Sequence, residues 1–158
     1  MEKDSFNKIS LKSADTFDFH IRWAWYKISR LYNNIAQDYG VNMSTGYALL
    51  KIDPKKGTPS TKLGPSMGME SRSLTRTLKV MEAEGLIYKK ADAKDRRIIR
   101  IMLTDYGLEQ REIAKNAVLE LNSILYDNIS ESERESFFST ISKISEVLES
   151  ELFKKRKK

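Results

Sequence analysis

The chain contains no cysteine, which excludes disulfides, thiolate metal sites and thiol-based redox sensing. Its only histidine is His20, with Asp18 two residues before it. A lone histidine offers neither a metal cage nor a nucleophile's partner, and it reads more readily as an ordinary surface or core residue. Long apolar runs are missing too: no stretch approaches the roughly 18 apolar residues of a membrane span, and Met1–Asp4 leads into no apolar segment of the secretory kind. No membrane partner is expected, and the cytoplasm is the expected location. Gly64-Pro-Ser-Met-Gly68 lacks the lysine–hydroxyl ending of a phosphate loop. Carboxylates are plentiful, but they alternate with Lys and Ser on helical spacings and read as solvated faces rather than as paired acid and base. Neither an enzyme nor a cofactor nor a bound metal is expected.

What the chain does have is concentrated between Gly68 and Leu103. Leu74, Leu78 and Met81 recur at i, i+4 and i+7 in the helix signal Met69–Glu84, which gives it one core-facing stripe. The remaining face carries Ser71, Arg72, Ser73, Thr75, Arg76 and Lys79. Gly85 stops the helix. Two runs rich in β-branched and aromatic residues follow, Leu86–Lys90 and Arg97–Leu103, with the polar Asp92–Arg96 stretch as a hairpin loop that places Lys94, Arg96 and Arg97 at its tip. Upstream, Thr58-Pro59 reads as a capping hydroxyl followed by a first-turn proline, so that Ser60 and Thr61 open a short helix ending near Gly68. Short helix, turn and basic helix make a helix-turn-helix. Pro65 is expected to shorten or distort the last turn of the first of these helices.

Charge is segregated along the sequence. Residues 69–103 hold nine Lys or Arg against five Asp or Glu, whereas residues 104–153 hold four against eleven, and all five residues of the tail Lys154–Lys158 are basic. A basic module beside acidic helices attracts an anionic partner to one place. Hydroxyls alternating with cations on one helix face suit phosphates and base edges, so double-stranded DNA is the expected partner. The other class of reading is a protein-interaction module whose basic face docks an acidic partner; DNA affinity that falls steeply with salt separates the two. The tail complements the negative end of the last helix or adds a nonspecific phosphate contact.

Long amphipathic helices bracket this module. Phe17, Ile21, Trp25, Ile28, Tyr32, Ile35 and Tyr39 form a stripe that Gly40 ends, and Asn42 caps a short helix running to Ile52. Thr104-Asp-Tyr-Gly107 caps a helix striped by Ile113, Ala117, Val118, Leu121, Ile124 and Leu125. Ser130 and Glu133 form a capping-box pattern opening a last helix striped by Phe137, Ile141, Ile144, Leu148 and Leu152. One chain has too little apolar surface to cover all three, so a homodimer is expected. The resulting division is 1–40 for the N-terminal arm and dimerisation helix, 41–104 for the DNA-binding lobe, and 105–158 for the C-terminal dimerisation helices and basic tail.

Met67-Gly-Met69, Leu74-Thr-Arg-Thr-Leu78, Glu84-Gly-Leu-Ile87, Asp95-Arg-Arg97 and Leu103-Thr-Asp-Tyr-Gly107, in this order and spacing, resemble the MarR family of multiple antibiotic resistance regulators. The resemblance implies a mainly α fold with a small β-hairpin wing, a winged helix-turn-helix held in a homodimer by long N- and C-terminal helices. It also implies transcription regulation, commonly repression, at a palindromic operator, with recognition helices in the major groove and wings in the minor groove. A small aromatic or phenolic effector often binds where the DNA lobe meets the dimer helices; His20, Trp23, Tyr26 and Tyr47 are the candidate lining here, against the plainer reading that these rings fill the junction. The chain departs from the family pattern at Lys79, where many relatives carry an acidic residue able to pair with a wing arginine. The wing is then held by another group, with Glu82 the candidate, or is left freer. Gly64-Pro65 is the second departure, replacing helix-forming residues.

Overall fold

The computed structural model describes residues 16–150; the polar N-terminal arm and the basic tail lie outside them. The elements are α1 (Phe17–Gln37), α2 (Met43–Lys51), β1 (Thr58–Pro59), α3 (Ser60–Ser66), α4 (Ser71–Ala83), β2 (Ile87–Ala91), β3 (Ile99–Leu103), α5 (Asp105–Asn128) and α6 (Glu131–Glu149). Helices dominate, and a small antiparallel sheet of order β1-β3-β2 supplies the wing. The described chain divides into two units, one running through Ala117 and the other from Val118.

In the first unit the core is built by the α4 stripe read from the sequence. Leu74, Leu78 and Met81 are buried with Ala48, Leu49, Ile52, Leu63, Leu86, Ile87, Ile101 and Leu103. Local chemistry sets the element ends. The Asn42 side-chain oxygen accepts the Thr45 N–H at 2.9 Å, as a helix cap should. Both α3 and α4 end in the same arrangement. The Gly68 and Gly85 amides bond back to Pro65 and Glu82, and the Met69 and Leu86 amides to Gly64 and Met81. Met69 is thus spent on closing α3, and α4 starts two residues later than the sequence suggests. At the start of α5 the Thr104 hydroxyl accepts the Gly107 N–H at 2.9 Å. Gly107 has to be glycine, because a Cβ there would collide with the Leu86 carbonyl.

Thr58-Pro59 departs from its sequence reading. The pair does not start the helix; it is a strand in register with β3, Thr58 opposite Ile101 and Pro59 opposite Arg100. The Thr58 hydroxyl accepts the Asp53 N–H at 2.9 Å and donates to the Lys51 carbonyl, so it holds the preceding turn rather than capping α3. Edge position in the sheet makes the proline's missing N–H harmless. Pro65 also differs: α3 runs past it to Ser66. A proline clashes with the Cβ of the residue before it in a helix, and that residue is Gly64. Arg97 lies in the loop, outside β3.

Taken alone, α1 leaves its stripe open. None of its residues is buried; Phe17, Ile21 and Trp25 are exposed, and only Ile28, Tyr32 and Ile35 are partly covered. Tyr39, assigned to the stripe, falls beyond the helix end.

In the second unit, Ile129 and Ser130 join α5 to α6. The Glu133 carboxylate accepts the Ser130 amide at 2.9 Å, the glutamate half of the capping box. Arg134 lies over the Tyr126 ring and donates to the Ile129 carbonyl, tying the turn together. No residue of α6 is buried.

Candidate nucleic-acid interface

Helix periodicity decides which side chains α4 can offer. At 100° per residue, Arg72, Arg76 and Lys79 point away from the face that buries Leu74, Leu78 and Met81, and all three are exposed. Ser71, Ser73 and Thr75 are exposed beside them. The Thr75 hydroxyl, however, donates to the Ser71 carbonyl at 2.8 Å and that of Thr77 to Ser73 at 3.2 Å. These two threonines present methyl groups and acceptor lone pairs, whereas the sequence pattern suggested free donors. On α3, Ser60 is half-buried at the first position and Thr61 is exposed.

The wing brings Lys94, Arg96 and Arg97 together on one exposed loop. Asp92 shapes it: its Oδ1 accepts the amides of Lys94 at 2.8 Å and Asp95 at 3.2 Å. Asp95 in turn accepts the Arg97 amide, Nε and Nη2 at 3.0–3.1 Å. Arg97 is therefore pinned by its base, while Lys94 and Arg96 have no side-chain partner among the described residues. Backbone amides hold the Asp92 carboxyl below its ordinary value, with the Arg100 guanidinium adding to the effect; Asp95 is lowered mainly by Arg97. Both stay ionised at neutral pH.

Two features escaped the sequence reading. Arg100, counted there only as a charge, forms an ion pair with Asp92 at 2.6 Å and reaches the Lys56 and Gly57 carbonyls. The other is the turn Asp53-Pro-Lys-Lys56, whose Asp53 Oδ1 accepts the Lys55 and Lys56 amides at 2.9 and 2.7 Å. The shared Asp-x-Lys pattern of the two turns was the available signal. Glu82, by contrast, does meet the wing, as an exposed pair: its carboxylate lies 2.5 Å from Lys89 of β2.

Residues 41–99 match the MarR family model, and this span contains the buried core stripe, α4 and the wing loop just described. The likeness to the MarR family lies in this segment. Among curated relatives, the HTH-type transcriptional regulator SarZ of Staphylococcus aureus (strain MRSA252) is 27% identical over 110 residues, covering 70% of this chain and 72% of SarZ. The fold extends beyond the lobe. The S. aureus MepR–DNA complex aligns with a TM-score of 0.77 at 20% identity, over 84% of this chain and 98% of MepR. CouR from Rhodococcus jostii RHA1, bound to p-coumaroyl-CoA, aligns with a TM-score of 0.73 at 20% identity, over 85% and 95% of the two chains. The likeness is thus to a family whose curated relative here, SarZ, is a transcriptional regulator. No described helix is long and apolar enough to cross a membrane, and no described cluster of His, Asp or Glu could hold a metal ion.

The four rings assigned to an effector fall into two groups. Trp23 and Tyr26 stack on α1 with centroids 5.6 Å apart, Lys27 lies over the first ring and Arg30 over the second. His20 lies one turn before them and meets Phe19 edge-on. Tyr47 stands on α2, where its ring partner is Lys51.

Proposed function

We propose that the protein is a MarR-type transcription regulator that acts in the cytoplasm as a homodimeric repressor at a palindromic operator and is released by a small aromatic or phenolic effector. In this reading residues 41–104 are the DNA-binding lobe, with dimerisation helices on either side. The recognition helix α4 enters the major groove, where Arg72 or Arg76 reaches a guanine edge and Lys79, Ser71, Ser73 and Thr75 contact the backbone or neighbouring bases. Ser60 and Thr61 meet phosphates at the start of α3. The wing lays Lys94, Arg96 and Arg97 along the adjacent minor groove, where the field is most negative.

One observation carries the reading: α4 is anchored by a buried stripe and turns Arg72, Arg76 and Lys79, none engaged in an ion pair among the described residues, directly away from it. Nothing within the described chain uses these cations. MepR bound to DNA is a relative of the same fold, which fits this use of the helix. The dimer is supported by α1 and α6, long helices with apolar stripes and no buried residue. For the effector, the Trp23–Tyr26 stack with its two flanking cations suits an aromatic acid, and CouR holds an aromatic thioester.

Selection of bound duplexes from random DNA tests the proposal. Enrichment of a palindrome with half-sites about one helical turn apart, bound with affinity falling steeply with salt, is expected. No enrichment at low salt would overturn it and leave the protein-docking alternative. For the effector, aromatic carboxylates and phenols should raise the melting temperature and release the selected duplex; a screen without such a compound removes that part.

A further inference from the structure

We infer that Arg100 is the positioning residue of the wing, clamping its tip to the turn between α2 and β1 and so fixing where Lys94, Arg96 and Arg97 meet a duplex. This rests on the DNA-binding reading above. Arg100 sits on the central strand β3, opposite Pro59 of β1 on one side and Lys90 of β2 on the other. Its guanidinium donates three ways: Nε to the Lys56 carbonyl at 2.8 Å, Nη2 to the Gly57 carbonyl at 3.1 Å, and Nη1 to Asp92 Oδ2 at 2.6 Å. The planar fork meets these acceptors from three separate nitrogens, whereas an ammonium would have to reach all three from one.

The bonds continue at both ends. Asp92 receives the Lys94 and Asp95 amides, and Asp95 grips Arg97. At the other end Asp53 receives the Lys55 and Lys56 amides. An unbroken series of charge-assisted bonds therefore runs from the α2–β1 turn to the wing tip, with Arg100 as its only link across the sheet.

Sheltering distinguishes this pair from the rest. The side chains of Arg100 and Asp92 are 26% and 15% exposed, and no other described ion pair has both partners so well covered. Beyond its backbone pairing with β3 and the half-exposed Lys89–Glu82 pair, the wing has little to set its angle against the lobe, since every residue of β2 after Ile87 is exposed. A strand without a buried face sets its angle by polar bonds or not at all. With all three guanidinium nitrogens bonded inside the lobe, Arg100 acts through Lys94, Arg96 and Arg97.

The test compares Arg100→Lys and Asp92→Asn in two backgrounds, the wild-type chain and an Arg96→Ala/Arg97→Ala variant. Affinity for the selected duplex is measured at two salt concentrations, beside the melting temperature and the hydrogen exchange of the Lys94 and Asp95 amides. Arg100→Lys keeps the charge and is expected to weaken binding roughly tenfold, with a shallower salt slope. In the variant background the loss should shrink to under about twofold, because the contacts it positions are already gone. Asp92→Asn should give the same phenotype and add nothing to Arg100→Lys. Wild-type affinity in Arg100→Lys, or an equal loss in both backgrounds, overturns the inference, as does unchanged exchange of the two amides. Failure of the wild-type protein to bind any duplex strikes the DNA reading alone, because the exchange measurement still decides whether the clamp exists.

Discussion

Leu74, Leu78 and Met81 on α4 keep at most 7% of their surface, whereas Phe137 and Leu148 on α6 keep 60% and 52%, although both sets recur at the same helical spacing. Periodicity states that a face requires cover; it does not state what covers it. Around α4 the cover is intramolecular, since α2, α3 and the sheet close a core within the lobe. On α6 the described chain covers Ile141 and Ile144 only in part and leaves Phe137 and Leu148 exposed, and along the first half of α1 it covers nothing. In the proposed DNA-binding dimer a lobe that completes its own core and helices that do not have different tasks: the first must be rigid to fit grooves, the second must be sticky to set the distance between two lobes.

The largest effect should come from putting charge on the open stripe. Leu148→Asp or Ile144→Asp is expected to cost on the order of 3 kcal/mol or more per dimer, since each copy of the chain contributes the substitution to one two-fold interface. Sedimentation should show monomers at micromolar concentration, and DNA binding should fail with them. A variant that stays dimeric would break the contrast between the two stripes, and so would a wild-type chain that is a stable monomer.

Next in size is the closed stripe. Leu49 has no exposed surface, so Leu49→Ala leaves a cavity and should destabilise the lobe by about 2–5 kcal/mol, read in a thermal melt. Oligomeric state at low temperature should not change. If Leu49→Ala dissociated the dimer as readily as Leu148→Asp, the lobe and the helices would be one cooperative unit and the division would lose its meaning.

Within the lobe, the helix and the wing should differ in kind as well as in size. Arg72→Ala or Arg76→Ala is expected to cost about 1–3 kcal/mol and to relax preference at one position of each half-site. Arg96→Ala should weaken all sequences alike and flatten the salt slope. Binding to single-base operator variants at two salt concentrations distinguishes them, and identical base profiles for the helix and wing substitutions would cancel that division of labour.

What could be read from the sequence was local. The α4 stripe, the stops at Gly68 and Gly85, and the caps at Asn42, Thr104 and Ser130 each depend on residues within one or two turns, and all are seen. Strand β1 was missed because two residues, one of them proline, carry no periodicity; only pairing with β3, more than forty residues away, makes them a strand. The same distance hid Arg100, whose acceptors on Lys56 and Gly57 have no signature near it. Pro65 stays inside α3, where Gly64 before it has no Cβ to clash with the ring, and the helix ends one residue later at Ser66. The stripe of α1 is legible as a stripe, and the surplus of such stripes over what one chain can cover is legible too; that Ile28, Tyr32 and Ile35 are partly covered while Phe17, Ile21 and Trp25 are exposed is not.

The smallest expected effect concerns the departure from the family pattern at Lys79. With Lys79 facing out from α4, the acid that meets the wing is Glu82, three residues further along, and its partner is Lys89 on β2. Helix acid and wing base are kept; the arginine is not. Both side chains are close to half exposed, at 41% and 43%, so solvent screens the pair and its worth should fall in the 0.2–1 kcal/mol range of surface ion pairs despite the short contact. A double-mutant cycle of Glu82→Gln and Lys89→Met, which keep side-chain length, should return a coupling of that size in the thermal melt and change duplex affinity less than about threefold. A coupling well above 1 kcal/mol would mean that the helix grips the wing directly, and would move the wing's anchor from Arg100 to Glu82.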